Sequence, residues 1–356
     1  MVRIIFSVFA FFLLPVLRGA EPEFYVWQRK HGPEVEQAVT GFYRTAPGKL
    51  YFLAGELEND GRVIRIPPPK AAELRRAVPV VRIHVKNLRK APGLLAAEIA
   101  GASSPWRGTK ALQVDLDAPE SKLAYYRAVM EELRKLLPGT ELSATVLPCH
   151  LKHEAAFREL ARACDFYVLQ VHGLARRNGA WSIWDAPAAF RAVERAKALR
   201  LPFKTALPLY GSAVGGRLVR PDPAQVGQLA GICGDVIVFR LGIPGDGSAL
   251  DLETARRVCR GGGYTPKVEP RWERQAGGAW HLFLRNRGFF AEKTVLALDF
   301  GTKAADIDTF NHAVWDGTKG ELTLVLPPPG MEKPYLWLRS EKNGEPSLTV
   351  RMRGEK

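Results

Sequence analysis

From Phe24 onward the chain alternates between two hydrophobic rhythms. Short apolar runs rich in β-branched and aromatic residues occupy Phe24–Arg29, Leu50–Glu56, Val80–Lys86, Leu112–Asp117, Leu142–Leu147, Phe166–His172, Phe203–Tyr210 and Val236–Leu241. Runs of this length and composition predict strands. Between and after them lie segments with helical spacing of apolar positions, near 33–43, 70–77, 92–101, 119–137, 153–163, 185–199, 222–231 and 251–260. Eight strand–helix pairs over about 240 residues have the size and order of a (β/α)8 barrel of the TIM type. An open doubly wound sheet is the alternative, and eight pairs without a leftover strand favour closure. The barrel domain is expected over residues 21–263.

Past Gly261-Gly262-Gly263 the rhythm changes. Trp280–Arg287, Thr294–Phe300, Glu321–Leu326, Tyr335–Arg339 and Ser347–Met352 read as short strands, with turn chemistry at Asn286-Arg287-Gly288 and Asn343-Gly344. A small β-sandwich-like domain is expected over 264–356, serving either to bind glycan or to cover one side of the barrel.

The first 20 residues belong to neither pattern. Arg3 precedes an apolar stretch from Ile4 to Leu17, and small residues follow at Gly19-Ala20. This is the layout of a signal peptide, which predicts an exported protein, periplasmic or extracellular. An uncleaved N-terminal membrane anchor, and with it peripheral envelope association, is the alternative. The formal charge of +14 falls to +12 without Arg3 and Arg18. The cations are scattered as pairs in helix-like segments, such as Arg75-Arg76 and Arg256-Arg257. That pattern argues against nucleic acid as a partner, because such binders gather charge on one face. An anionic glycan or envelope polymer remains compatible. Cys149, Cys164, Cys233 and Cys259 fit neither zinc-ligand nor CxxC spacing. Cys233 and Cys259 close successive helices and are the one pair expected to approach disulfide distance.

The barrel gives the polar residues a meaning. Active sites of such barrels lie at the C-terminal ends of the strands, and side chains alternate between interior and helix layer. Val114 and Leu116 suit the helix layer, which turns Gln113, Asp115 and Asp117 inward. By the same alternation Arg82, His84 and Lys86 turn inward on the third strand, and Gln170 and His172 on the sixth. Trp27 and Gln28 lie near the end of the first strand, Glu56 ends the second, Tyr210 ends the seventh and Arg240 lies high on the eighth. His150 follows the fifth. Buried charges are costly unless paired, so this convergence predicts a polar site at one mouth.

Each candidate also has a structural reading. Asp117-Ala118-Pro119-Glu120 resembles a helix start with a capping-box Glu. Asp115 suits an ion pair with Lys86 or Arg82. His150, His172 and Tyr210 suit ordinary packing, as do Trp27, Trp181 and Trp184, whose flat faces equally suit sugar rings. Glycoside hydrolysis is the chemistry that best fits the mouth, because it needs a proton donor and a second carboxylate. The candidate set is Asp117, Asp115 and Glu56 for catalysis, with Gln28, Trp27, Lys86, Gln170, His172, Tyr210 and Arg240 contacting substrate. No nucleophile elbow, metal-ligand spacing or phosphate-cradling glycine loop is present in the sequence, and no cofactor or metal is expected.

Several segments carry a resemblance. Leu112-Gln113-Val114-Asp115-Leu116-Asp117-Ala118-Pro119, Leu142–Pro148, Val168-Leu169-Gln170-Val171-His172, Ala206–Gly211 and Phe24–Arg29 together resemble a bacterial domain family of unknown function related to glycoside-hydrolase barrels. The fourth strand is also similar to the chitinase-like pattern Asp-x-Asp-x-Glu, and departs from it, since the next acid is Glu120, one residue late and past a proline. The resemblance implies a barrel with a carbohydrate-directed ancestry. Two functions fit: an exported glycosidase acting on a polysaccharide or envelope glycan, or a non-catalytic glycan-binding or scaffold protein on a degenerate barrel.

Overall fold

A computed structural model describes residues 21–177, 179–300, 304–340 and 345–352. The expected leader, residues 1–20, lies outside the described residues. Eight parallel strands form the core: β1 Glu23–Val26, β2 Leu50–Leu57, β3 Ala77–Ile83, β4 Ala111–Asp115, β5 Glu141–Val146, β6 Phe166–Gln170, β7 Phe203–Pro208 and β8 Val236–Phe239. Each pairs with the next, and β1 pairs with both β2, at Phe24↔Leu50, and β8, at Phe24↔Val238. The sheet therefore closes, and the fold is a (β/α)8 barrel followed by antiparallel sheets. Closure pairs each of the eight parallel strands on both sides.

The helices are α1 Pro33–Thr45, α2 Pro92–Ala102, α3 Leu123–Leu136, α4 Glu154–Arg162, α5 Ala186–Ala198, α6 Pro223–Cys233 and α7 Leu252–Cys259. The helix expected near 70–77 does not form. That connection holds a short strand, Val63–Arg65, paired antiparallel to β2, and a single 3-10 turn at Leu74–Arg76. Pro67, Pro68 and Pro69 precede the turn, lack N–H groups and push their neighbours toward extended backbone. Asp185, Asp222 and Asp251 cap α5, α6 and α7 by accepting from the N–H groups of Ala188, Ala224 and Thr254. A carboxylate there answers the free N–H groups and the positive end of the helix.

Side-chain alternation sorts the strands. Val26, Phe52, Val81, Ile83, Val114 and Leu169 join the helices in one large apolar layer. Tyr25, Tyr51, Val80, Val168, Ala206 and Ile237 fill the barrel interior. The inward phase expected for Arg82, Gln113 and Gln170 therefore holds. The ends of several strands do not. β3 runs three residues earlier than its pattern suggested, because Pro79 sits inside it, paired with Phe52. A strand read as starting after that proline ends too late. Lys86 consequently lies on a 3-10 helix, Val85–Arg89, exposed above the strand rather than inside the barrel. β1 stops at Val26, placing Trp27 and Gln28 in the loop, and Tyr210 lies two residues beyond β7.

Beyond Tyr264, two four-stranded antiparallel sheets pack face to face. Leu282, Leu284, Leu336 and Leu338 from one sheet meet Leu296, Leu298, Leu322 and Leu324 from the other in a single buried cluster. The strands Lys267–Arg274, Ala304–Thr309 and Val314–Asp316 complete the sheets; their alternation was too charged or too short to predict. The segment between Gly288 and Glu292 meets the barrel: Phe290 is buried in the barrel's apolar layer, and the Ala291 N–H donates to the Gly247 carbonyl at 2.9 Å.

No disulfide joins Cys233 and Cys259. Both are buried, and Cys259 lies close enough to Cys233 to sense its charge; burial pushes its thiol up to about 12. The expected bond is not formed.

A candidate active site at the barrel mouth

The mouth has two unlike walls. Strands β2, β3 and β4 bring Glu56, Arg82 and Asp115 into one cross-strand row, Glu56↔Arg82↔Asp115. A bulge between Leu53 and Gly55 resets the phase of β2 so that Glu56 joins this row. Gly55 is required there, since a Cβ would lie 2.9 Å from that of Ala102. Glu56 is buried and accepts a hydrogen bond from Arg29 Nε, while Arg82 stands 3.8 Å away. Arg29 also reaches Glu58 at 3.0 Å. Glu56 is thus a paired anion, held between two cations.

Asp115 is partly buried at the top of β4. Burial first, and then the nearby Asp117 carboxylate, raise its carboxyl pKa to about 6 against the opposing pull of the Thr145 hydroxyl and Arg82. The Thr145 contact is oriented from below. Gln113 donates from Nε2 to Tyr25 Oη and to Thr145 Oγ1, both at 2.8 Å, so the Thr145 hydroxyl proton is free to point at Asp115. Asp115 forms no ion pair with Lys86 or Arg82 within 4.0 Å among the described residues, contrary to the structural reading of its sequence.

Asp117 lies two residues past β4, exposed. It caps nothing: the following 3-10 turn begins after Pro119 and α3 after Lys122, neither with a side-chain cap. Its loop is nevertheless held. The buried His150 accepts the Leu147 N–H at Nδ1 (3.1 Å), which leaves the proton on Nε2 to donate to the Ala118 carbonyl at 2.7 Å. Burial lowers the His150 pKa, consistent with that neutral tautomer. The sequence placed His150 near the mouth without revealing that it clamps the neighbour of Asp117.

The other wall is aromatic. Trp27 packs edge-on against Phe239 at 5.3 Å, Phe239 against Tyr210 at 4.8 Å, and His172 touches both Tyr210 (5.6 Å) and Phe239 (5.4 Å). Phe239 was not singled out from the sequence, where it reads as one more apolar strand residue. Among the described residues His172 has no hydrogen-bond partner at either ring nitrogen, and burial pushes its pKa down to about 3. Gln28 Oε1 is likewise buried without a partner among them. Gln170 donates to the His172 carbonyl at 3.2 Å and so braces the backbone there. Arg240 is committed to Asp246 at 2.7 Å and Ser248 at 3.0 Å, within its own loop.

Two hairpins rise from the aromatic side. His172–Arg177 pairs with Ala180–Trp184, and Ser212–Val214 with Arg217–Val219. The signals were in the sequence as Asn178-Gly179 and Gly215-Gly216, two-residue turns of the kind that join antiparallel strands. Both Gly215 and Gly216 adopt positive φ, 56° and 74°. Trp184 is buried at the base of the first hairpin and Trp181 is 48% exposed on its flank. Among the described residues no group of three or more His, Cys, Asp or Glu is placed to hold a metal ion.

Residues 73–220, which run from before β3 through the second hairpin, match a family described as a domain of unknown function, DUF3142. No curated protein matches the chain. Solved structures with similar folds include a candidate α-L-fucosidase from Bacteroides thetaiotaomicron (10% identity, 66% of this chain and 89% of that one, TM-score 0.44). The C-terminal domain of a candidate chitinase from Desulfitobacterium hafniense aligns over 86% of each chain at 10% identity and TM-score 0.40. A β-mannanase from Streptomyces thermolilacinus aligns over 65% of this chain and 82% of that one, at 13% identity and TM-score 0.41.

Proposed function

We propose that the protein is an exported glycoside hydrolase acting at the barrel mouth on a polysaccharide or cell-envelope glycan. The observation that carries this reading is the Asp115–Asp117 pair: two carboxyls at the top of one strand, the buried one holding a proton up to about pH 6. Glycosidic cleavage needs a proton at the leaving oxygen as the C–O bond breaks, and water then adds to the anomeric carbon and returns a proton. Asp117, exposed and unpaired among the described residues, reaches the substrate and delivers the proton. Asp115, two residues back on the same strand end, holds a proton nearby to resupply it. His150 is a positioning residue for Asp117. Trp27, Tyr210 and Phe239 offer flat apolar faces to a sugar ring. Neutral His172 and Gln28 offer hydrogen bonds to its hydroxyls. Glu56 keeps Arg82 beside Asp115. Export rests on the leader-like pattern of residues 1–20.

Release of reducing ends from a polysaccharide panel tests the reading, with Asp117→Asn and Asp115→Asn beside the wild type. A loss of about 100-fold or more in each variant, with the fold intact, is expected for a lost acid. No release from any polymer by folded wild type overturns it.

A second reading, a non-catalytic glycan-binding protein, is favoured by one feature: Glu56 is tied to Arg29 and so is not available as a free second carboxylate. Glycan binding that is unchanged in both variants, without product, would identify it.

A further inference from the structure

In a closed parallel barrel every strand-to-helix loop emerges on the same face. The acids on those loops are nearly all committed. Glu58 pairs with Arg29, Asp60 with Arg62 and Glu73 with Arg76. Glu120 is held by His153 and Lys152, and Asp246 by Arg240. Asp185, Asp222 and Asp251 cap helices. The cations are not matched in the same way. Lys30 after β1, Lys86 and Arg89 after β3, Arg177 after β6 and Arg217 after β7 are exposed, and none has a carboxylate partner among the described residues. Apart from Asp115, Asp117 and the exposed Glu34 and Glu253 in the first turns of α1 and α7, the charge without an ion-pair partner on these loops is positive and comes from four separate loops. Trp181, 48% exposed, is the cross-strand partner of Arg176, and the next pair of the same hairpin is Arg177↔Ala180.

We propose that this ring of cations selects an anionic polysaccharide, its carboxylate or sulfate groups resting on Lys86, Arg89, Arg177 and Arg217 while a sugar ring stacks on Trp181. Opposed potentials draw such a polymer to the mouth and orient it across the opening. The inference deepens the glycosidase reading and rests on it for the reaction, while its binding part is tested separately.

Polygalacturonate supplies a carboxylate ligand, heparin a sulfate ligand and mannan a neutral one. Binding of the full chain to each is measured at low and at physiological salt. One variant carries Lys86→Gln, Arg89→Gln, Arg177→Gln and Arg217→Gln. A control removes four exposed cations from the opposite face, Arg44→Gln, Arg107→Gln, Lys110→Gln and Arg195→Gln. Matching thermal melts establish that both variants fold. The expected result is binding to one or both anionic polymers in preference to mannan, weakened by added salt. The mouth variant weakens it about tenfold and the control by less than twofold. Which anionic polymer is held tells carboxylate from sulfate. Equal binding to mannan, no binding to either anionic polymer, or equal loss in both variants overturns the proposal; the last would mean that overall charge, not the mouth, does the binding. Anionic binding that persists without released sugar would sink the hydrolase and keep the surface. Cleavage of mannan without anionic binding would do the reverse.

Discussion

Asp115 and His172 give the mouth an opposed pair of responses to pH. The Asp115 carboxyl is raised to about 6, so the folded state holds its proton more tightly than the unfolded chain does. Its stabilising contribution is complete below about pH 4 and is lost as pH rises through about 6. The loss by pH 8 is roughly 2–3 kcal/mol. Asp115→Asn should therefore raise the urea midpoint at pH 8 and leave it nearly unchanged at pH 3.5, and an equal gain at both would contradict the raised pKa. His172 is lowered to about 3, so its contribution is present above about 6.5 and is lost as pH falls toward 3. His172→Phe should protect against acid unfolding near pH 4.5 without a comparable gain at pH 8. Both residues were visible from alternation alone, because period two turns Asp115 and His172 inward. The neutralisation of Glu56 was not visible. It depends on a bulge and on Arg29, 27 residues earlier in the chain. The grip of His150 on Ala118 likewise spans 32 residues.

The barrel was legible element by element because the strands are buried and apolar while most helices carry one apolar face; α2 and α6 are apolar nearly all round. Boundaries failed where a local rule met a tertiary one. Pro79 sits within a parallel strand, and three consecutive prolines replace a helix with a turn. The loops that shape the mouth were legible only as turn dipeptides. The second hairpin depends on Gly211, where a Cβ would fall 2.6–3.0 Å from the Leu218 side chain. Gly211→Ala should push this hairpin outward at a cost of about 1–3 kcal/mol, the range for overpacking. A thermal melt checks the cost. Glycan affinity should fall with it if the hairpin is a wall of the site.

At the scale of the whole molecule, the β-rich region is tied to the barrel by its own chain. Phe290 inserts into the barrel's apolar layer with Arg220 stacked 5.4 Å above its ring. Arg220 also pairs with Glu292 at 2.6 Å, and Tyr264 Oη donates to the Gly288 carbonyl at 3.1 Å. A region held in this way should not unfold alone. The wild type is expected to melt in a single calorimetric transition. Phe290→Ala should cost about 3–5 kcal/mol, the usual loss for a buried phenylalanine, or split the transition in two. Two transitions already present in the wild type would show that the contact does not couple the regions.

None of the four cysteines is bonded to another. The barrel is built without a disulfide, so its stability rests on packing and hydrogen bonds alone. Overproduction in a reducing cytoplasm and storage in thiol reductants should leave it intact. Burial shields Cys164, Cys233 and Cys259, and partial burial together with the neighbouring Glu120 raises the pKa of the one partly open thiol, Cys149, so even that one is a poor nucleophile. A thiol-reactive dye should label the native protein slowly and at Cys149 first, and all four sites at once only after denaturation.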